Sequence, residues 1–251
     1  MNSQLVNYEI EDSIGIIKGT NPPVNALSSG VRRGLIDSLK KLLEDEHIKG
    51  IILCGQGRTF FAGADISEFG KPPQSPSLNE VILEFENSHK PIVAALHGTP
   101  LGGGLELAMG CHYRVASDKT MLGLPEVKLG IIPGAGGTQR LPRIVGVEKA
   151  LNMIISSTPI SANEALKNNL VSEVYDNNEL ITQAKKFLLT KISLSDYPVI
   201  KKVSIEKTSF AENTFEEYNR LIKKKFRGRN SPIAALEAVK ASVELDFSEG
   251  L

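Results

Sequence analysis

The sequence predicts an α/β fold followed by a helical C-terminal region, and three observations support this. Two apolar runs, Ile48–Cys54 and Pro91–Leu96, have the continuous hydrophobicity of strands that are buried on both faces of a sheet. Helical segments alternate with these and other short strands, which favours parallel pairing. From about Val147 onward the pattern is mainly helical. We therefore expect a core over residues 1–190 and a helical region over residues 191–251.

The individual strands and helices are predicted from the spacing of apolar residues and from the residues that cap or interrupt them. Leu5–Ile10 and Ile14–Lys18 are predicted to form a hairpin. Ser28 or Ser29 is expected to cap a helix, because apolar residues recur at helical spacing after it. We further predict strands over Tyr113–Ala116 and Leu170–Tyr175, a helix start in Gly136–Arg140, and helices over Leu78–Ser88, Leu105–Gly110, Val147–Ile155, Ser161–Lys167, Leu180–Leu189, Phe215–Lys225 and Pro232–Val243.

Composition excludes several classes of function. Lys and Arg together number 29, as do Asp and Glu, so a net charge of zero argues against bulk nucleic-acid or membrane-surface binding. Cys54 and Cys111 lack any CxxC spacing and are expected to be reduced, buried thiols. The four histidines are scattered, which predicts no metal site. No secretory leader and no membrane-spanning run is predicted.

Two glycine-rich segments do not match the sequence motifs of nucleotide-binding loops. Gly134–Thr138 lacks the Gly-Lys-Ser/Thr ending of a phosphate loop, and Gly55–Gly57 lacks a third glycine at the required spacing. Ser156, Ser157 and Cys111 also lack the context of an activated nucleophile.

Two glutamates beside glycine-rich turns are the strongest functional signal. Glu106 follows three consecutive glycines, and Glu126 precedes a second glycine cluster. Each lies in a mostly apolar stretch, where an ionised carboxylate is unfavourable unless it is paired or functional. The alternatives are a carboxylate at a helix start for Glu106, and for Glu126 a loop carboxylate paired with Lys128 or Arg140.

Two backbone N–H groups complete a possible acid/base site. The Phe60–Asp65 loop and the Gly102–Gly104 turn both follow buried strands, where ligands of α/β sheets usually bind. If the N–H groups of Ala64 and Gly103 converge, they form an oxyanion site beside the two carboxylates.

These segments together resemble the enoyl-CoA hydratase/isomerase family, also called the crotonase family. The resemblance is carried by four stretches in order, Asn21–Leu27, Phe61–Ile66, His97–Ala108 and Leu124–Arg143. It implies a spiral of ββα turns, with the C-terminal helical region covering the acyl-CoA site and including a linker-like helix. Within the family the chain most resembles the N-terminal hydratase/isomerase part of the bifunctional enzymes of peroxisomal fatty-acid oxidation.

The resemblance also implies roles for particular residues. Glu106 and Glu126 match the catalytic pair, and Ala64 and Gly103 match the oxyanion donors. The substrate-binding positions that it implies are Ala62, Ala64, Asp65, Ile66, Gly102, Gly103, Pro125 and Gly134. Asp65 is expected to hold the shape of its loop as well. Lys71 and the Lys223–Arg227 run are candidates for the cations that bind the CoA phosphates.

The expected reaction is hydration of trans-2-enoyl-CoA to 3-hydroxyacyl-CoA in β-oxidation, with Δ3–Δ2 isomerisation, and with no cofactor or metal. The alternatives are a thioester hydrolase or decarboxylase of the same fold and a non-catalytic acyl-CoA-binding module. The resemblance further implies a dehydrogenase domain after this segment in a longer chain, and it is compatible with a homo-oligomer. The expected compartment is the peroxisome, with the cytoplasm or the mitochondrion as alternatives.

Overall fold

A computed structural model describes residues 5–194 and 196–251, and residues 1–4, part of the stretch predicted to carry no secretory leader, lie outside these ranges. Its strands are β1 (Val6–Glu11), β2 (Ile14–Gly19), β3 (Gly50–Gly55), β4 (Ile92–Leu96), β5 (Tyr113–Ser117), β6 (Met121–Leu122), β7 (Ile160–Ser161) and β8 (Glu173–Tyr175). Its α-helices are α1 (Ser29–Glu44), α2 (Leu78–Glu86), α3 (Gly103–Gly110), α4 (Gly137–Val145), α5 (Val147–Ser156), α6 (Ala162–Lys167), α7 (Leu180–Leu189), α8 (Thr214–Lys225) and α9 (Ser231–Glu244). Short 3-10 helices cover Ile66–Glu68, Glu126–Leu129, Ile200–Lys202 and Lys207–Ser209.

The main sheet has the strand order β1-β2-β3-β4-β5-β8. β1 and β2 form the predicted antiparallel hairpin, and every later neighbour pairs in parallel. Because parallel strands end at the same edge, the loops after β3 and β4 leave the sheet side by side.

Both faces of the sheet are covered, which explains the continuous apolar runs. Ile51 and Leu53 belong to the large cluster on one face, whereas Ile52 and Cys54 pack with α7 on the other. Successive side chains of a strand point to opposite faces, so a strand that is buried on both faces has no polar position.

Side-chain caps define where two helices near the site begin. Ser28 caps α1, since its hydroxyl accepts a hydrogen bond from the Val31 N–H. Ser77 and Glu80 form a reciprocal capping box at the start of α2.

The C-terminal helical region shares the core of the rest of the chain. Its buried residues Ile222, Ala235 and Val239 belong to the same cluster as residues of β3 and β4. The Gln139 side-chain amide of α4 also donates to the Ala238 carbonyl of α9, at 2.8 Å. Among the described residues, no helix is both long and apolar enough to cross a membrane.

Candidate active site

The loops after β3 and β4 pack backbone against backbone. A Cβ atom added to Gly104 would lie 1.8 Å from the Phe61 carbonyl oxygen, so only glycine allows this approach. A Cβ on Gly63 would lie 3.3 Å from the Leu101 carbonyl oxygen. The contact brings together the two loops that the sequence analysis places at one edge of the sheet.

The N–H groups of Ala64 and Gly103 lie next to each other in this contact. A Cβ on Gly103 would lie 3.4 Å from the Ala64 nitrogen. Within residues 5–194 and 196–251, neither N–H donates a hydrogen bond to a protein acceptor. Gly103 is the first residue of α3, where N–H groups have no partner within the helix. Both donors are therefore available to a developing oxyanion.

Glu106 lies in the first turn of α3 and is buried. Its Oε1 accepts hydrogen bonds from the N–H groups of Ala135, at 2.8 Å, and Gly137, at 2.7 Å. Burial raises the pKa of Glu106, while these two donors and the Arg140 charge act in the opposite direction. Both backbone donors bind Oε1, and Oε2 accepts no hydrogen bond from the described residues.

Glu126 is the first residue of the 3-10 helix Glu126–Leu129 and is also buried. Its Oε2 accepts no hydrogen bond from any described residue. Burial, with a contribution from the charge of Glu106, raises the pKa of Glu126 to about 8. At neutral pH Glu126 is therefore mostly protonated, whereas at Glu106 the two N–H donors and the Arg140 charge partly oppose the effect of burial on the pKa.

Both carboxylates line one cavity of about 440 Å³. Of the predicted substrate-binding residues, seven line it: Ala62, Ala64, Ile66, Gly102, Gly103, Pro125 and Gly134. Asp65 is not among the lining residues. Its carboxylate instead caps the 3-10 helix Ile66–Glu68 by accepting from the Ser67 N–H at 2.9 Å, which agrees with the expected role in loop shape.

The structure adds apolar lining residues that the sequence analysis does not identify. They are Phe69, Leu78, Leu101, Leu129, Ile131 and Ile132. Phe69 and Leu129 are exposed by 53% and 64%, and this exposure of large apolar side chains, which is typical of binding sites, is visible only in the folded chain.

The segment that contributes Ile66 and Phe69 is anchored by Arg32 of α1. The guanidinium of Arg32 donates to Glu68 Oε2 at 2.9 Å, to the Leu27 carbonyl and to the Pro76 carbonyl. Because Arg32 is itself buried, these bonds fix one wall of the cavity.

The alternative structural role of Glu126 is not observed, and that of Glu106 is met only at another helix. Arg140 pairs with the buried Glu86 rather than with Glu126, and the Lys128 ammonium donates to the Ser157 carbonyl. Glu106 does bind free N–H groups, but they belong to the loop before α4 and to the first residue of α4, not to its own helix. Neither Lys71 nor any residue of Lys223–Arg227 is among the residues that line the cavity.

No group of three potential metal ligands occurs in the described part of the chain. Cys54 and Cys111 are free and buried as predicted, and burial raises the pKa of each thiol to about 12. Neither thiol therefore has the character of a nucleophile.

The sequence profile of the enoyl-CoA hydratase/isomerase family matches residues 9–241. The chain belongs to the enoyl-CoA hydratase/isomerase family. Its membership confirms the resemblance that the four sequence stretches predict.

Similar proteins agree with this assignment. The chain is 40% identical over 256 residues to a peroxisomal bifunctional enzyme of Danio rerio, covering 98% of this chain and 34% of that protein. It is 46% identical over 188 residues to a Bacillus subtilis protein named "Probable enoyl-CoA hydratase", covering 72% of this chain and 73% of that protein. The chain thus spans about a third of the length of the bifunctional relatives that it matches.

A solved structure of an enoyl-CoA hydratase subunit I from Geobacillus kaustophilus is 30% identical, with a TM-score of 0.71. The alignment covers 99% of this chain and 86% of that one. An enoyl-CoA hydratase from Bacillus anthracis gives 29% identity and a TM-score of 0.70, over 98% and 86% of the two chains. The predicted crotonase-type α/β fold is confirmed.

All residues that line the cavity lie between positions 62 and 135 of the chain. The C-terminal region supports the site instead, since the Ser231 hydroxyl of α9 donates to the Val127 carbonyl of the helix that carries Glu126, at 3.0 Å. Its expected role as a cover over the cavity stays a prediction.

Proposed function

We propose that the chain hydrates trans-2-enoyl-CoA to 3-hydroxyacyl-CoA in fatty-acid β-oxidation and also isomerises Δ3-enoyl-CoA to Δ2-enoyl-CoA. The observation that carries the proposal is the pair of buried carboxylates, Glu106 and Glu126, in one cavity with two free backbone donors. Family membership supports the same substrate class.

The backbone donors would act on the thioester oxygen. As a nucleophile adds to C3, negative charge moves through C2 onto this oxygen, and the N–H groups of Ala64 and Gly103 stabilise the resulting enolate. Loss of one such donor typically lowers the rate by about 10²–10³. Since both groups are main-chain, they are preorganised by the contact between the two loops.

In hydration the two glutamates would divide the proton transfers. Ionised Glu106 accepts a proton from water as the water oxygen bonds to C3. Protonated Glu126 delivers a proton to C2, and together these steps add one water molecule across the double bond. The pKa of about 8 at Glu126 makes it an acid of suitable strength near neutral pH.

In isomerisation Glu126 alone would act. Its ionised form removes a proton from C2 of a 3-enoyl-CoA, and the same carboxyl group returns a proton to C4 as the double bond moves to C2–C3. No water is added, so Glu106 has no proton to carry. Glu126 is therefore required by both reactions and Glu106 by hydration alone.

A product assay on purified protein tests the proposal. Crotonyl-CoA and longer 2-enoyl-CoA and 3-enoyl-CoA substrates are incubated without added cofactor or metal, and the products are separated chromatographically. We expect 3-hydroxyacyl-CoA from the 2-enoyl series and 2-enoyl-CoA from the 3-enoyl series. Release of free CoA would favour a thioester hydrolase, and loss of carbon dioxide from malonyl-type thioesters would favour a decarboxylase. Binding without turnover would favour a non-catalytic module.

The relatives also suggest partners and a compartment. The bifunctional relatives, of which this chain matches about a third, support a second activity in a longer chain, and we propose that a dehydrogenase domain supplies it. Light scattering of the purified protein tests whether it forms a homo-oligomer. The names peroxisomal and glyoxysomal support a peroxisomal location, the Bacillus relative supports the cytoplasm, and organelle fractionation separates these alternatives.

A further inference from the structure

The two N–H donors to Glu106 lie where a short loop enters α4, and this loop is itself held by Arg140. One nitrogen of the Arg140 guanidinium donates to the Ala135 carbonyl at 3.2 Å. Its other two nitrogens bind both carboxylate oxygens of Glu86, at 3.1 Å and 2.8 Å. Arg140 and Glu86 are both buried, so this fork-shaped pair fixes the guanidinium in one orientation.

The C-terminal segment contacts the same loop from the other side. The ring of Phe247 lies 4.8 Å from the Arg140 guanidinium carbon and 5.2 Å from that of Arg143. A Cβ on Gly250 would lie 2.4 Å from Gln139 Oε1, and a Cβ on Gly136 would lie 3.1 Å from the Leu251 side chain. Residues 247–251 are therefore packed against the first turn of α4, directly behind the donors to Glu106.

We infer that Arg140 is a positioning residue for Glu106 and that the C-terminal segment, through Phe247, holds Arg140 in place. This inference rests on the proposed function, because it assigns the effect to the step that only Glu106 performs. The chain of contacts runs from Phe247 to Arg140, from Arg140 to the Ala135 carbonyl, and from the Ala135 and Gly137 N–H groups to Glu106. None of these contacts involves Glu126.

The inference predicts different effects on the rates of the two reactions. Loosening the loop disturbs the carboxylate that activates water, so hydration should slow while isomerisation by Glu126 continues. A general loss of packing would instead lower both reactions together. The ratio of the two rates therefore separates positioning from ordinary structural support.

Phe247→Ala is the main test variant, with Phe210→Ala as its matched control. Phe210 is an aromatic residue of the same C-terminal region, but its ring pairs with Phe215 and not with an arginine of α4. We expect Phe247→Ala to lower kcat for hydration about three- to tenfold, with KM and the isomerisation rate changed by less than about twofold. Phe247→Tyr, which keeps the ring face, should restore hydration, and Phe210→Ala should keep the wild-type ratio.

Arg140→Lys is the stronger variant, because lysine keeps the charge but loses the fork that joins Glu86 to the Ala135 carbonyl. Its hydration rate should fall by about 10- to 100-fold relative to isomerisation. If it does not fold, the Phe247 variants still decide the question.

Amide hydrogen exchange at Ala135 and Gly137 gives a readout that does not depend on activity. Phe247→Ala should accelerate exchange at both amides about three- to tenfold, and Phe210→Ala should not. An equal loss of both reactions, or unchanged exchange at these amides, would overturn the inference. Wild-type protein without hydratase activity would reject the proposed function, while the exchange measurement would still decide whether Phe247 holds the loop.

Discussion

Replacing Gly102 by alanine should disable both reactions while leaving most of the protein folded. Gly102 has φ 52° and ψ −128°, a backbone conformation that is essentially restricted to glycine. A Cβ atom there would lie 2.7 Å from Glu126 Oε1. The substitution therefore strains the backbone next to the Gly103 donor and pushes on the carboxylate that both reactions need.

The structure gives the size of both effects. Backbone strain of this kind is worth about 1–3 kcal/mol, and in a chain of this length each kcal/mol lowers Tm by about 2–4 °C. The Glu126 oxygen must retreat from 2.7 Å to at least 3.4 Å for an ordinary contact. Because a displacement of about 1 Å can lower a rate about 10²-fold, we expect kcat for hydration and for isomerisation to fall by that order.

Gly146→Ala is the matched control. Gly146 has φ 83° and ψ 159°, so alanine is strained there too, but a Cβ would meet no atom within 4 Å. Thermal unfolding and steady-state assays of both variants separate strain from displacement. Gly146→Ala should lose stability and keep its activity, and a Gly102→Ala enzyme with activity within about threefold of wild type would refute the reasoning.

Three further predictions concern protonation, capping and thiol reactivity. In pH–rate profiles, kcat/KM for isomerisation should rise through about pH 8 as Glu126 loses its proton, whereas hydration should fall over the same interval; parallel profiles would contradict the assigned roles. Asp65→Ala removes the cap of a 3-10 helix and should lower the free energy of unfolding by about 0.5–2 kcal/mol while leaving kcat within about threefold, as denaturant titration and assays would show. Cys54 and Cys111, both buried with pKa values of about 12, should react with a thiol reagent only after denaturant is added, and labelling of the native protein would contradict their placement.

The parts of the fold that depend on local sequence patterns are the buried strands and the helix starts, and these can be predicted from the sequence alone. The run that contains Ile51 and Leu53 has the pattern of a buried strand because both faces of the sheet are covered. The start of α1 follows from Ser28, whose side chain caps the helix. The pairing of β6 with β7 was not predicted, since each strand has two residues and they are separated by 38 positions along the chain.

The candidate site likewise contains residues that the local sequence indicates and residues that only the packing of helices reveals. Glu106 and Glu126 could be identified because carboxylates are unusual among glycines and apolar residues. The buried pair of Glu86 and Arg140 could not, since each is an ordinary charged residue of a helix and the two are 54 positions apart. Their partnership depends on how α2 and α4 pack, and so does the support that Arg140 gives to the Ala135 loop.

The distinct roles of the two glutamates are tested most directly by comparing Glu106→Gln and Glu126→Gln in both assays. Glutamine keeps the size of each side chain and, at position 106, an oxygen that can still accept from the Ala135 and Gly137 N–H groups. We expect Glu106→Gln to lose hydration by about 10²–10⁴ while isomerisation stays within about tenfold of wild type, and Glu126→Gln to lose both. Isomerisation that survives in Glu126→Gln, or that disappears together with hydration in Glu106→Gln, would contradict the account.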